Sequence, residues 1–536
     1  MNNRIALLIA CIAQLPAIAK ADDAVWINQL IRDVIRDTPP GQTAEVNLPA
    51  RTLIIETPIS TPTGARNVHI RGVRNRTKIV VAAPITGLIR LNSEANNVGG
   101  VWGGDPFLLY SSFYPASKGD RQLRLEPGQP WPMPEAYVTV ADAQRDFTGQ
   151  VPLHAQIVRI VSFDPYTRTC TLDRPLSRDL SIMPIMAHAD RRIATNIQLS
   201  DLSIDGATGL EDCERGVWAA LCDGLTISRV STTKFLTDNF RMDVCSNATI
   251  DDADASYYRG GDTAGQGRGI ALFHCDGVRV VNSRLNHLRH GVVISCSTNV
   301  AIDDCVANDM LGHGFDTHGL LSEGIRIQNC LGQASLQVGN GTFWQGDKGA
   351  TIEDTQVSAV YAVGGVSDLT FRRVNASRLN LQSWGDPSQD LRPKRLYFEG
   401  CTFELGDGGM PVSLSGGSWR SVESATFVDC TFVQTSPLGG KRCVLMEELS
   451  DDVTLRFIRC RFQTASWTRC LELNGDAVIH LELNDCQWQT SYDTMVLLGP
   501  NLTGVVRVGR NTFPQGARLL DAPKSVRVLG LDTSDH

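Results

Sequence analysis

The sequence predicts an all-β protein, a right-handed parallel β-helix with an N-terminal capping helix and a small β-rich insertion. Three observations predict it. From about residue 196 to 490 the chain repeats one phrase, an alternating apolar strand that ends in a small residue or Cys. Examples are Ala248-Thr-Ile-Asp-Asp-Ala253, Val300-Ala-Ile-Asp-Asp-Cys305 and Leu455-Arg-Phe-Ile-Arg-Cys460. Successive phrases end 19 to 30 residues apart, a period at which each repeat is one coil that can bury its apolar face only against its neighbours. Within the phrase apolar residues alternate with period two, and Gly, Asn, Asp and Ser fill the intervals, so the coils are made of strands and turns.

The elements run in this order. Residues 1–21 read as a secretory signal: Arg4 supplies the positive start, Ile5 to Ala19 is mostly apolar, and Ala19-Lys-Ala21 offers small residues before a cut ahead of Asp22. A secreted or periplasmic location is expected. Residues 22–96 hold the cap and first coils, with Trp26, Leu30, Ile31 and Val34 at helical spacing; that helix would cover strand edges otherwise open to association. Residues 97–190 break the repeat with Trp102, Tyr110, Phe113, Tyr114, several Pro and two hairpin-like strands, an insertion placed to wall a cleft. The solenoid proper is 191–525, and 526–536 read as a polar tail.

Composition narrows the partners. A net charge of −8 excludes a broadly basic nucleic-acid binder, and no stretch beyond the signal approaches transmembrane length. Of 15 Cys, none has a metal-ligand spacing. Cys222, Cys245, Cys275 and Cys296 each precede a polar turn, and Cys305, Cys330, Cys401, Cys430, Cys460 and Cys486 end phrases. Stacked coils would set both groups in columns of buried thiols. A disulfide such as Cys213 to Cys222 is the alternative in an exported chain.

The chemistry concentrates in His313-Gly-Phe-Asp-Thr-His318. On a strand, Asp316 and His318 share one face while Phe315 and Thr317 point to the other. Arg289-His290-Gly291 precedes a strand of the same shape, so His290 would stack on His313. Strand alternation puts Val217, Phe240, Ile270, Val292 and Phe315 inside. One outward column then holds Trp218, Arg241, Ala271, Val293 and Asp316, and the next Ala220, Asp243, Phe273, Ser295 and His318. Downstream, Trp344, Lys348, Asn380 and Gln382 fall on or near this face. Aromatic side chains beside Arg, Asp and amides suit sugar rings with their hydroxyls.

On these residues the chain resembles the pectin-lyase-like superfamily of right-handed β-helices. Its His-Gly-Phe-Asp-Thr-His run is similar to the Tyr-Gly-(Phe/Ile)-Asp-Pro-His core of the mannuronan C5-epimerase group. The resemblance covers six motif residues, and in fold nearly everything after residue 24. It implies that Asp316 and His318 are catalytic, with His313 where the family has Tyr, Thr317 for Pro and Gly319 for an acidic residue. The implied substrate is an acidic, uronic-acid-containing polysaccharide, attacked by C5 proton abstraction as a lyase or an epimerase.

In that chemistry His318 is the expected base, with Arg289, then Arg241 and Arg268, as cations for the charge of the enolate-like intermediate. Asp316 would hold the cluster, and His313 or His290 would handle the second proton. Trp218, Asp243, Phe273, Trp344 and Lys348 complete the expected substrate contacts. No cofactor is expected. Some lyases of this fold use calcium, for which Asp243, Asp251 and Asp316 are the candidate ligands. Two other readings stay open: a polygalacturonase-type hydrolase, echoed in Asp303-Asp304, Gly312-His-Gly314 and Arg326-Ile, and a non-catalytic glycan-binding β-helix. Adjacent Asp303 and Asp304 would point to opposite faces, which disfavours an acid–base pair.

Overall fold

The computed structural model describes residues 22–92, 110–142, 155–189, 191–206, 213–258, 266–318, 321–339, 346–382, 391–405, 412–415, 422–435, 442–464 and 469–530. The expected signal segment and Trp344 lie outside the described residues. The chain is a right-handed parallel β-helix in which each coil pairs in parallel with the next, as Phe240 with Ile270, Ile270 with Val292 and Val292 with Phe315. Three columns of strands enclose one continuous apolar core that runs from Ala24 to Val526.

The repeated phrase is a corner. Its penultimate residue takes positive φ in coil after coil, at Asp252 (51°), Asn282 (53°), Asp304 (54°), Asn329 (52°) and Asp354 (48°). Asp and Asn tolerate this left-handed conformation because their short polar side chains bond locally. The small residue after it, such as Ala253, Cys305 or Cys330, is buried inside the corner. Where Arg takes the left-handed position, it pairs with an acid of the neighbouring coil: Arg229 with Asp201, and Arg459 with Asp429.

Helix α1 (Asp23–Asp37) closes the first coil, with Asp22 as N-cap accepting from the Ala24 amide at 3.0 Å. Its buried stripe is Ala24, Ile27 and Ile31. Trp26, expected on that stripe, instead sits at the rim, where its indole donates to Asp23.

The insertion forms a separate six-stranded sheet between Tyr110 and Ala187 with its own core around Phe113, Val138, Val158 and Met186. It packs on one corner of the solenoid through Ala141, Ala155 and Ile157 against Ala220, Leu221 and Val244. Arg174 fixes that contact with two bonds to Asp223, at 2.8 and 3.0 Å.

Two sequence expectations change and one alternative closes. Cys222, Cys245 and Cys275 do stack, but Ser297, not Cys296, continues their column, with its hydroxyl 3.0 Å from the Cys275 amide. Cys296 instead takes the positive-φ position (53°) that Leu221, Val244 and His274 hold in the preceding coils, and it lines a small cavity beside the insertion. Cys213 and Cys222 are both buried, and no disulfide joins them. Val526–Leu529, read as tail, is a strand paired with Gly504–Arg507. Among the described residues, no helix is long and apolar enough to cross a membrane.

Candidate active site

Five neighbouring strands of one face build the site: β1 (Arg215–Ala220), β2 (Asp238–Asp243), β3 (Arg268–Phe273), β4 (His290–Ser295) and β5 (His313–Thr317). Their register stacks Val217, Phe240, Ile270, Val292 and Phe315 inward and Trp218, Arg241, Ala271, Val293 and Asp316 outward, as strand alternation predicts. At the start of four of the five strands a polar residue precedes Gly, in Arg215-Gly216, Arg268-Gly269, His290-Gly291 and His313-Gly314. The reason is close approach: a Cβ on Gly291 would meet the Gly314 carbonyl oxygen at 2.3 Å. Glycine lets the coils close under the histidines, and the polar side chains line the rim above.

Asp316 is the centre. Its side chain is fully buried, and Oδ2 lies 3.0 Å from His318 Nδ1 and 3.2 Å from His290 Nδ1 one coil away. Burial alone would raise its pKa, but the two histidines outweigh burial and hold it well below the usual carboxylate range. The bond to Asp316 in turn raises His318 above the ordinary histidine value, against burial. His318 remains half exposed, at 51% of its side chain. His313 sits 5.6 Å from His290, ring centre to ring centre, with Nδ1 2.6 Å from the Ser335 hydroxyl. Burial lowers its pKa, which the charge of Asp316 only partly offsets. The half-buried Arg289, one residue before β4, exerts its charge on both His313 and His318.

Beside the histidines lies a cationic patch that sequence reading found only in part. Fully buried Asp238 faces three arginines: Arg268 at 2.7 Å, Arg215 at 3.4 Å and Arg241 at 3.5 Å. Arg241 also grips both oxygens of Asp243 at 2.7 and 2.9 Å, and Trp218 donates to the same carboxylate at 2.7 Å. The aromatic faces expected to carry sugar rings are engaged. Arg215 covers Trp218 at 4.6 Å, and Arg241 and Arg268 cover Phe273 at 4.6 and 5.1 Å, since a guanidinium is attracted to the ring face. Arg215 and Asp238 were missed. The polar-residue-plus-Gly recurrence would have found Arg215, but nothing in the sequence marks Asp238 as a hub.

Other expected residues part company with the cluster. Lys348 stands at the next corner of the coil, bridged in register between Glu323 and Ser367. Asn380 comes after Tyr361 on the outward column. The expected calcium ligands do not converge, because Asp251 bonds Asn282 on another strand column while Asp243 and Asp316 hold Arg241 and the histidines. Among the described residues, no group of three or more His, Cys, Asp or Glu is spaced to hold a metal ion. Asp303 is held by Arg326 at 3.0 Å on a strand column away from the histidines.

Comparison with known proteins agrees with this fold. Residues 194–373 match the family model described as right handed beta helix region. The tailspike protein gp49 from Pseudomonas phage LKA1 is similar in structure, with TM-score 0.51 and 14% identity over 93% of this chain and 77% of that one. The tailspike gp61 of Pseudomonas phage phi297 gives 0.49 at 12% identity, over 89% and 72% of the two chains. The Gp54 tailspike of Acinetobacter baumannii bacteriophage AP22, solved with a capsular saccharide, gives 0.45 at 10%, over 95% and 76%. No curated protein sequence matches. At 14% identity the likeness to the LKA1 tailspike is one of fold alone, and function has to be argued from the site.

Proposed function

We propose that the protein is a carbohydrate-active enzyme that abstracts the C5 proton of a uronic-acid residue in an acidic polysaccharide, as a β-elimination lyase or a C5-epimerase. The observation that carries this reading is one buried carboxylate, Asp316, organising His290 and His318 beside His313, with arginines flanking the cluster on an otherwise acidic chain.

The C5–H bond is weakly acidic, so its cleavage needs a base and a cation that spreads the charge growing on the adjacent carboxylate. The surroundings of the two outer histidines push their pKa values apart, which divides acid from base. His313, lowered by burial, is the neutral ring at a pH where His318, raised by Asp316, still holds its proton. We therefore assign His313 as base and His318 as acid, the reverse of the sequence expectation. The C–H electron pair moves toward the substrate carboxylate, where Arg289 and Arg268 neutralise it. In a lyase the C4–O4 bond then breaks as the C4=C5 double bond forms, and the leaving oxygen takes the His318 proton. In an epimerase that proton returns to C5 from the opposite side.

A hydrolase at this site is disfavoured because each carboxylate along it is engaged: Asp316 by histidines, Asp238 and Asp243 by arginines. None is positioned as a protonated acid for a glycosidic oxygen. The test is to incubate purified protein with polymannuronate, polyguluronate and polygalacturonate. Near-ultraviolet absorbance from unsaturated ends identifies a lyase, and changed uronate composition without cleavage an epimerase. New reducing ends without absorbance, or retention of an unchanged polymer, would overturn the proposal.

A further inference from the structure

Beyond the insertion's contact with the solenoid, the same corner opens into a second cleft of about 300 Å³, at the lower end of ligand-sized pockets. Its cations come from the insertion and from successive coils: Arg178, Lys348, Lys394 and Arg395. The remaining wall is mixed, with the carboxylate of Glu323, the hydroxyls of Ser322 and Ser367 and the apolar flanks of Leu321 and Leu391. Leu321 and Ser322 belong to the turn after His318, so the cleft adjoins the coil of the histidine cluster. Successive coils are about 4.8 Å apart, so charges on neighbouring coils can meet successive groups of one extended chain.

We propose that this cleft is a second glycan-binding site, which takes a carboxylate-bearing sugar residue of an acidic polysaccharide. The proposal rests on the uronate reading for its ligand class, but not on the proton chemistry. Arg178 is the anchor. It is nine-tenths buried, and one guanidinium nitrogen donates to the Leu321 carbonyl at 2.7 Å. Burial pushes its pKa down to about 10, against the pull of Glu323 and more distant acids, so a carboxylate in the cleft would stabilise a cation that the fold alone leaves at a disadvantage. The acids around the cleft are already matched: Glu323 by Lys118 at 2.7 Å, Asp368 by Arg395, and Glu423 by Lys394 at 3.2 Å. Lys348 is exposed at the rim. A guanidinium fork and lysines recognise a carboxylate, the serines can bond ring hydroxyls, and the leucines can pack on a ring face.

The experiment is calorimetric titration of the full-length His318→Ala protein with hexamers of mannuronate and of galacturonate, with cellohexaose as the uncharged control. The expected result is two binding events per chain for an acidic hexamer and none for cellohexaose. Lys348→Glu with Lys394→Glu should weaken one event at least tenfold and leave the other intact. Inorganic sulfate at the hexamer's concentration should displace neither. A single event, or two events that ignore the lysine substitutions, would overturn the second site. Displacement by sulfate alone would make it a site for a free anion and overturn the sugar assignment. Absence of any uronate binding would sink both this site and the uronate reading. Two events in a wild-type protein that turns over no uronate polymer would sink the chemistry and leave the cleft.

Discussion

His290 and Asp316 lie on neighbouring coils, with Nδ1 of one 3.2 Å from Oδ2 of the other. The same oxygen takes His318 at 3.0 Å, while Oδ1 is buried without a hydrogen-bond partner among the described residues. An unsatisfied buried carboxylate oxygen costs stability, and native folds keep few of them. Here the unequal use of the two oxygens lets one carboxylate hold two histidines from different coils at one spot. That is an arrangement of value to chemistry more than to folding.

Replacing His318 by Ala should lower turnover of the responsive polymer about a hundredfold or more, the usual contribution of a positioned acid or base. The fold should persist, because the side chain is half exposed and adds little to the core. Steady-state kinetics beside a thermal melt checks both parts.

The pH profile of kcat/KM should be a bell. The acid limb tracks His313, which must lose its proton and whose pKa lies below the ordinary 6.5. The alkaline limb tracks His318, which must keep its proton and whose pKa lies above 6.5. Asp316→Asn removes the charge that raises His318, so the alkaline limb should move to lower pH. An unmoved alkaline limb in that variant would refute His318 as the acid.

Asp238→Ala should destabilise the protein by about 3 kcal/mol or more, the usual cost of leaving buried charges uncompensated. Arg215, Arg241 and Arg268 would then face one another with Asp243 beside Arg241 and Glu214 beside Arg215 to offset them. Urea unfolding of the variant reads this loss.

Asp347 gives a pH dependence of the opposite kind to Asp316. It is fully buried in the column that continues Ser297 and Ser322, accepting from the Ser322 amide at 2.8 Å, the Gly339 amide at 3.1 Å and the Thr317 hydroxyl. Burial raises its pKa from 3.8 to about 7. Between those values the folded state holds a proton that the unfolded state releases, so stability falls as pH rises from about 4 to about 7. Asp316, with a lowered pKa, stabilises above 3.8 and loses that contribution only as pH falls below it. Melting wild type and Asp347→Asn across this range should show the variant lacking the decline between pH 4 and 7.

The 14 described cysteines are buried thiols outside any disulfide. A thiol reagent should label almost none in the native protein and all of them after denaturation, because reaction needs an accessible thiolate. Rapid native labelling at several sites would contradict the stacked columns.

The solenoid, its period and the outward faces of its strands were legible in the residues alone. In a parallel coil each residue stacks on its equivalent, so a period-two pattern repeated through Val217, Phe240, Ile270, Val292 and Phe315 leaves one register that buries the apolar set. The same pattern put Asp316 and His318 on one face of their strand and stacked His290 on His313 one coil away, within reach of Asp316. The remainder depends on side-chain direction and on contacts between distant segments. Asp238 became a hub because three long arginine side chains from β1, β2 and β3 reach one buried carboxylate. Trp218 and Phe273 became seats for guanidinium groups by the same reach. Cys296 left its column because it falls one residue short of the Cys275 position, on the turn residue that His274 fills in the coil before. The cleft near Arg178 exists only because the insertion docks on coils more than a hundred residues further along the chain. Periodicity fixes which residues stack within the solenoid, but an insertion's docking site is a tertiary choice that no repeat encodes.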